Sequence, residues 1–569
     1  MVVEDILYKW QNDLLDVVTS SYKIQVDRGG SYLDFTTDSK FGDITSNIAF
    51  KLSKELKKRS LDVANELAKV LAPFMDTERF RYLDGVKVAG NGYLNFYIAD
   101  GFYVELLEEI YRKDGSFGQS NIGKGERVNI EFVSANPTGP LTVAHGRQAA
   151  VGDTLARIIK FVGYDVTREF YLNDCGNQVN NLGKSIYTKY SELFGKTYPF
   201  PEEGYHGEYI GDIAKDIKDS EGDKYINIPN EDAVTKFSNI GVETILGCIK
   251  KDLTDFRVTF DNYYSQNTLE KSGKVEEVVE YLKQVNLIYE KEKAFWLKTT
   301  AFGDQQDRVL IKSDRTYTYR TPDIAYHKDK FERGFKQVID LWGPDHHAHV
   351  GTMQSALKML GCDNRGNFTV LIVQHCRLLR GGEEVKMSKR AATYVTLREL
   401  LDEVGCDAAR YFFAMRKTDS HLDFDIDVAK KQSMENPVYY IQYAYARISS
   451  IFRKGREDGL IEEGIKPPPA FGAEEITLAR ELLKFPYIVR SAAENLDTER
   501  MTRYLYQLAW TLQSYYQKGD KDKQLRVLCE DEKIRSMRLY TIRAVQIVIK
   551  NGLELLGINA PERMEQQIS

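Results

Sequence analysis

Eight histidines occur in the 569-residue chain, and five of them (His145, His346, His347, His349 and His375) fall where an apolar run gives way to a loop or a helical pattern. An imidazole changes charge near neutral pH, and a helix N-terminus offers unpaired N–H groups and a partial positive charge, so a histidine at such a junction suits an anion such as phosphate. His145 closes SANPTGPLTVAH at 134–145. Neither the dinucleotide glycine spacing nor GxxxxGK[ST] is present there, so neither common phosphate loop accounts for it. An ordinary helix start with a capping histidine accounts for the same residues equally well. DHHAH at 345–349 has a spacing that resembles metal ligands, but no carboxylate or cysteine pattern completes a site. No metal is expected, and contact with a nucleotide is the better use of His346 and His347.

Two further groups can do chemistry. RLLRGGEEVKMSKR places Lys386, Lys389 and Arg390 around Met387 and Ser388 after a Gly-Gly pair. Ammonium groups on long stems suit a mobile clamp on a polyphosphate; a solvated basic loop is the alternative. In TYTYRTPDIAYH, Tyr319 and Asp323 stand four apart around Pro322, which suits the first position of a helix. Either the two side chains face one ligand, or Asp323 simply caps the helix.

These groups need a scaffold that brings loops together. VNIEFV reads as a buried strand, Val151, Leu155, Ile158 and Val162 form a helical stripe, Gly163 suits the residue after a helix, and YDVTREFYL reads as a second strand. That is a unit of a doubly wound α/β domain with a parallel, Rossmann-type sheet. VIDLW, a Gly-Pro loop and a histidine-led helix repeat the theme, and FTVLIVQHC is a further buried strand. A helix is expected to begin near Asn173 and Asp174, residues 199–231 read as a polar insertion, and helical patterns run from there to about residue 285. IYEKEKAFWLKTT and DRVLIKS read as strands.

Before this region, residues 1–115 read as a separate α+β domain, with Ser60 capping LDVANELAKVLA and a hairpin around GNG at 90–92. The catalytic unit is then 116–435. After it, 436–569 shows only helical spacing, an all-α bundle carrying Arg447, Arg453, Lys454, Lys518, Lys521, Lys523, Arg535, Arg538 and Arg543 among many tyrosines. Most of those rings belong in the core, and a minority can stack on bases.

Composition is ordinary for a globular protein, 42% hydrophobic and 28% charged, and the six cysteines form no CxxC pair. A disulfide framework and a zinc site are therefore not expected. Net charge is −6, so any nucleic-acid binding must come from local basic faces. No long apolar run or signal peptide is read, which makes the cytoplasm the expected location and a membrane an unexpected partner.

Taken together the motifs resemble a known family. SANPTGPLTVAH is similar to the HIGH motif of class I aminoacyl-tRNA synthetases, and KMSKR to their second signature. EFVSANPTGPL, TYTYRTPDIAYH, DHHAH, GGEEVKMSKR, NPVYYIQYAYAR and APERM resemble the arginyl-tRNA synthetases in particular, and FGDITSNIAFKL with VKVAGNGYLNF resembles their N-terminal additional domain.

The resemblance implies activation of L-arginine by ATP, as its Mg2+ complex, to arginyl adenylate, and transfer to the 3′ end of tRNA(Arg). It implies no tightly bound cofactor, and the chain is expected to act as a monomer. It assigns catalysis to His145, Lys386 and Lys389, and ATP contacts to Gly139, Thr142, His145, His346, His347 and the run Lys386, Met387, Ser388, Lys389. The arginine pocket is assigned to Glu131, Ser134, Asn136, Tyr319 and Asp323, and the N-terminal domain and the helical bundle to tRNA, the bundle to the anticodon arm. Three positions depart from the pattern. Thr142 and Ala144 replace the first histidine and the glycine of HIGH, Ala392 replaces a glycine of the second signature, and Gly139 stands where members lacking the signature lysine carry one. A nucleotidyltransferase of the same fold and a catalytically idle tRNA-binding relative are the alternatives; the long flanking domains oppose the first and the intact KMSK the second.

Overall fold

The computed structural model describes residues 6–36, 38–226, 230–385, 395–461, 465 and 467–564. Its centre is a five-stranded parallel sheet built from β1 (Arg127–Glu131), β2 (Asp165–Leu172), β3 (Asn262–Ser265), β4 (Gln337–Trp342) and β5 (Asn367–Ile372). The spatial order is β5-β4-β1-β2-β3, with every neighbouring pair parallel. The chain reverses its direction of travel across the sheet between β1 and β4. In such sheets a crevice opens at that switch point, beyond the strands' carboxyl ends.

The helix α1 (Val143–Phe161) follows β1, and its stripe of Val151, Leu155, Ile158 and Val162 is buried throughout. Gly152 lets α1 lie close to the sheet, since a Cβ there would come within 2.3 Å of the Phe132 ring. Gly163 takes φ +94°, the left-handed turn expected after the helix. Two further helices, α2 (Arg320–Glu332) and α3 (His347–Met359), flank β4 in the chain.

Several expectations are corrected. The helix containing Pro322 begins at Arg320, so proline occupies its third position, where its absent N–H is still one the helix cannot use. The strands predicted at 288–311 lie outside the parallel sheet, in a three-stranded antiparallel sheet of Ile288–Lys291, Ala294–Leu297 and Arg308–Ile311. Residues 208–221 of the expected turn-rich insertion form a helix that buries Ile210, Ile213, Ala214 and Ile217. The helix expected near Asn173 starts at Asn177. β3 had been read as part of a helical stretch, and β5, expected to be buried, is a half-buried edge strand. Ser60 does not cap its helix: Arg59 is the N-cap, and the Ser60 hydroxyl donates to the Asn91 carbonyl at 2.6 Å.

The N-terminal region forms a four-stranded antiparallel sheet that includes the predicted hairpin, Leu83–Ala89 with Tyr93–Ile98. The C-terminal region is helical, as α4 (Pro437–Glu457), α5 (Ala473–Asn495), α6 (Glu499–Lys521) and α7 (Glu532–Leu555). Among the described residues, no helix is long and apolar enough to cross a membrane.

Candidate active site

A cleft of about 750 Å3 opens at the switch point. Its walls include Glu131, Ser134 and Asn136 beyond β1, Thr142 and His145 at the start of α1, Tyr319 and Asp323 on α2, and His346 before α3. Gly139 and His347 are not among its lining residues, and Lys386, Met387, Ser388 and Lys389 lie outside the described residues. The sequence missed His349, His327, Trp342 and Tyr171, which also line it. DHHAH contained a signal for one of them, because residues three apart on a helix start cannot all face the same way. His346 and His347 are exposed and His349 is buried.

The turn leaving β1 is unusual. Val133 takes φ +68° and Ser134 φ +38°, in a region that β-branched residues rarely enter. Such strain persists where surrounding contacts fix it, commonly at functional sites. Here Ser134 Oγ accepts from the Tyr171 N–H at 3.0 Å and so donates to Glu131 Oε1 at 2.9 Å.

At the mouth of α1, both readings of His145 hold together. Thr142 is the N-cap, and His145 Nδ1 accepts the Thr142 N–H at 3.1 Å, the reciprocal half of a capping box. Accepting at Nδ1 makes Nε2 the protonated nitrogen. The ring is thus locked as a donor tautomer beside the helix N-terminus, with the polarity an anion requires.

Asp323 is held on the other side. Its Oδ2 lies 2.7 Å from His349 Nε2 and its Oδ1 3.1 Å from His327 Nδ1. Burial works to neutralise the carboxyl, but His327 and His349 hold it well below the usual carboxylate range. The side chain keeps 28% exposure, enough to meet a ligand. Tyr319, at 64% exposure, stands at the N-cap of the same helix with its ring 5.8 Å from that of His349.

Beneath the cleft floor, Asp340, Glu131 and Glu169 occupy one row across β4, β1 and β2, where Asp340 pairs with Glu131 and Glu131 with Glu169. α2 lays cations and a hydroxyl against that row. Lys330 Nζ donates to Glu131 Oε2 at 2.5 Å and Asp340 Oδ1 at 2.8 Å. Arg333 bonds both oxygens of Glu169 at 2.6 and 2.8 Å, and Tyr326 donates to Glu169 at 2.7 Å. Glu131, His327 and Asp340 bring ligand-type atoms within 4.8 Å of one another, but Lys330 bonds two of them, so the chain's own ammonium is the cation there.

The second signature, though outside the described residues, is bracketed by elements that end at the cleft. Leu397 N–H donates to the Leu141 carbonyl at 2.8 Å, and Thr396 bridges Thr142, so the residues just after the signature are tied to the start of α1.

Comparison with known proteins matches three consecutive stretches of the chain. Residues 9–98 match the arginyl tRNA synthetase N terminal domain, 107–444 the class I (R) tRNA synthetase catalytic domain, and 441–564 the DALR anticodon binding domain. The chain belongs to the arginyl-tRNA synthetase family. The arginine--tRNA ligase 1 of Halalkalibacterium halodurans is 43% identical over 533 residues, 94% of each chain. The arginine--tRNA ligase of Anoxybacillus flavithermus is 42% identical over 565 residues, 99% of this chain and all of that one. Among solved structures, a putative arginyl-tRNA synthetase from Campylobacter jejuni superposes with a TM-score of 0.74 at 32% identity, covering 82% of this chain and 100% of the other. Within the arginyl-tRNA synthetase frame, the cleft between His145 and Asp323 lies in the catalytic match, and α5, α6 and α7 lie in the anticodon-binding match.

Proposed function

We propose that the chain is an arginine–tRNA ligase whose cleft joins arginine to AMP and passes it to the 3′ end of tRNA(Arg). The observation that carries the reading is the placement of Asp323, an ionised and partly exposed carboxylate across the cleft from the α1 mouth. A carboxylate accepts two parallel N–H bonds from a planar guanidinium, which an ammonium cannot reproduce. Tyr319 borders the same space, and Glu131, Ser134 and Asn136 supply acceptors and donors for the rest of the amino acid.

ATP enters as its Mg2+ complex, with phosphates at the α1 N-terminus, where His145 Nε2 and the helix dipole face them. An oxygen of the arginine carboxylate attacks the α-phosphorus, and the bond from that phosphorus to the bridging oxygen breaks, releasing pyrophosphate. Lys386 and Lys389 are assigned to the charge that develops on the leaving group, an electrostatic role without a covalent intermediate. The terminal ribose hydroxyl of tRNA then attacks the arginyl carbonyl carbon and AMP departs. His346, at the mouth, is assigned to ATP. Gly139 and His347 act there only if the bound state brings them to the cleft.

The domain reading places 1–115 and 436–569 on the tRNA and 116–435 on the chemistry, in a monomeric, cytoplasmic enzyme. An ATP–pyrophosphate exchange assay across all amino acids, with and without tRNA, tests it. Exchange dependent on arginine alone is expected; exchange with another amino acid, or none under either condition, overturns the assignment.

A further inference from the structure

His327 sits between two carboxylates and has no donor opposite either ring nitrogen. Nδ1 lies 2.8 Å from the Asp323 backbone carbonyl and 3.1 Å from its Oδ1, and Nε2 lies 2.6 Å from Asp340 Oδ2. All of these oxygens are acceptors. A neutral imidazole has one donor nitrogen, so only the doubly protonated ring satisfies both sides. Its side chain is 2% exposed, and its flanks are the rings of Tyr326, Trp342 and Phe368. Burial and the Lys330 ammonium oppose the charge, and Asp340 and Asp323 outweigh them, pushing the imidazole up to about 10.

The rest of the chain of bonds fixes the other charges. Both oxygens of Glu131 accept, from Lys330 and from Ser134, so it is a carboxylate. Asp340 accepts from His327 and Lys330. His349 donates through Nε2 to Asp323, while its buried Nδ1 meets no partner, which suits a neutral ring. Three carboxylates therefore face two cations, and Glu169 is matched separately by Arg333.

We propose that His327 is a positioning residue that acts as an imidazolium, clamping Asp323 to Asp340 and setting the cleft floor to one net negative charge, the complement of one guanidinium. This rests on the reading of Asp323 as the arginine acceptor. Its specificity consequence is that the site balances a monocation, and loss of the imidazolium leaves it both over-charged and loosely held.

The test is arginine binding to the full chain by calorimetry, for wild type, His327→Gln and His327→Gln/Asp340→Asn. The single variant is expected to lose roughly ten- to a hundredfold in arginine affinity, the range for a lost charge-assisted hydrogen bond, with ATP affinity kept. The double variant restores the net charge and should recover a large part of that loss. A purely steric role predicts a double variant no better than the single, and that result overturns the proposal. If neither variant folds, neutron diffraction of the wild-type protein decides: deuterium on both nitrogens of His327 is expected, and on one alone refutes it. Asp323→Asn separates the two readings. If it leaves arginine affinity unchanged, the arginine site itself is misplaced; if it abolishes binding while His327→Gln does nothing, only the present inference fails.

Discussion

Arg410 donates to Asp153 at 2.6 Å with both side chains at 0% exposure, and through its Nε it also holds the Leu556 carbonyl at 2.7 Å. Asp153 is on α1 and Leu556 ends α7, so one guanidinium fastens the catalytic helix to the last turn of the helical bundle. Arg157 and Arg168 also approach Asp153, at 2.7 and 3.5 Å. Removing Arg410 leaves the Asp153 charge short of its buried partner, and Arg410→Leu should cost about 3–5 kcal/mol of stability. Denaturant unfolding measures it; a loss below about 1 kcal/mol would place Arg410 among pairs that contribute little.

His145→Ala should lower the turnover number of adenylate formation by about two to three orders of magnitude, as loss of one preorganised donor does, with tRNA affinity nearly unchanged. The capping box adds a second effect. Losing the Thr142 N–H partner should cost about 0.5–2 kcal/mol in stability. His145→Asn keeps a side-chain acceptor and should recover stability more than activity. An unaltered turnover number in the alanine variant would move the nucleotide elsewhere.

The acid limb of stability should depend on Glu169. Burial works to raise its carboxyl, and Arg333, Lys330 and Asn262 hold it at about 2, below its ordinary 4.5. A depressed folded-state value gives stabilisation that is complete above 4.5 and lost as pH falls towards 2. The shift corresponds to roughly 3 kcal/mol. Glu169→Gln should be less stable at neutral pH and should flatten the decline between pH 4.5 and 2. Parallel acid-unfolding curves for the two proteins would show that other carboxylates dominate.

Much of the site was legible in the sequence because local pattern encodes strand ends and helix starts. His145, Tyr319 and Asp323 each sat at such a junction, and the structure gathers them on one cleft. The acidic row was not legible. Asp340, Glu131 and Glu169 are far apart in the chain and meet only through strand register, while His327 and Lys330 read as polar residues of an amphipathic helix. β3 was missed because four residues between helical segments carry too little alternation, and the antiparallel sheet at 288–311 was misassigned because a strand pattern does not name its partner. Of the basic residues on the bundle, Arg535 and Arg538 spend their guanidinium groups on backbone carbonyls, which sequence spacing could not reveal.

That division sharpens the expectation for tRNA. Tyr506 and Trp510, at 40% and 52% exposure, are four apart on α6 and share a face. Trp510→Ala should weaken tRNA binding by about 1–3 kcal/mol with an unchanged salt slope, as loss of a stacked base does. Lys521→Ala and Lys523→Ala should each reduce the slope by about one unit. A Trp510 variant that alters only the slope, or lysine variants that leave it intact, would place the RNA on another face.

The most direct measurement is the arginine-to-lysine ratio of kcat/KM for wild type and Asp323→Asn, taken beside a melting curve. Asn keeps the shape but removes the charge, leaving a buried guanidinium against a neutral acceptor. The account predicts a loss of about 3–5 kcal/mol in arginine use. It also predicts that lysine, rejected by about 10⁴ or more in the wild type, becomes relatively less poor. A shifted melt with an unchanged arginine-to-lysine ratio would contradict it, because Asp323 would then serve the helix and not the substrate.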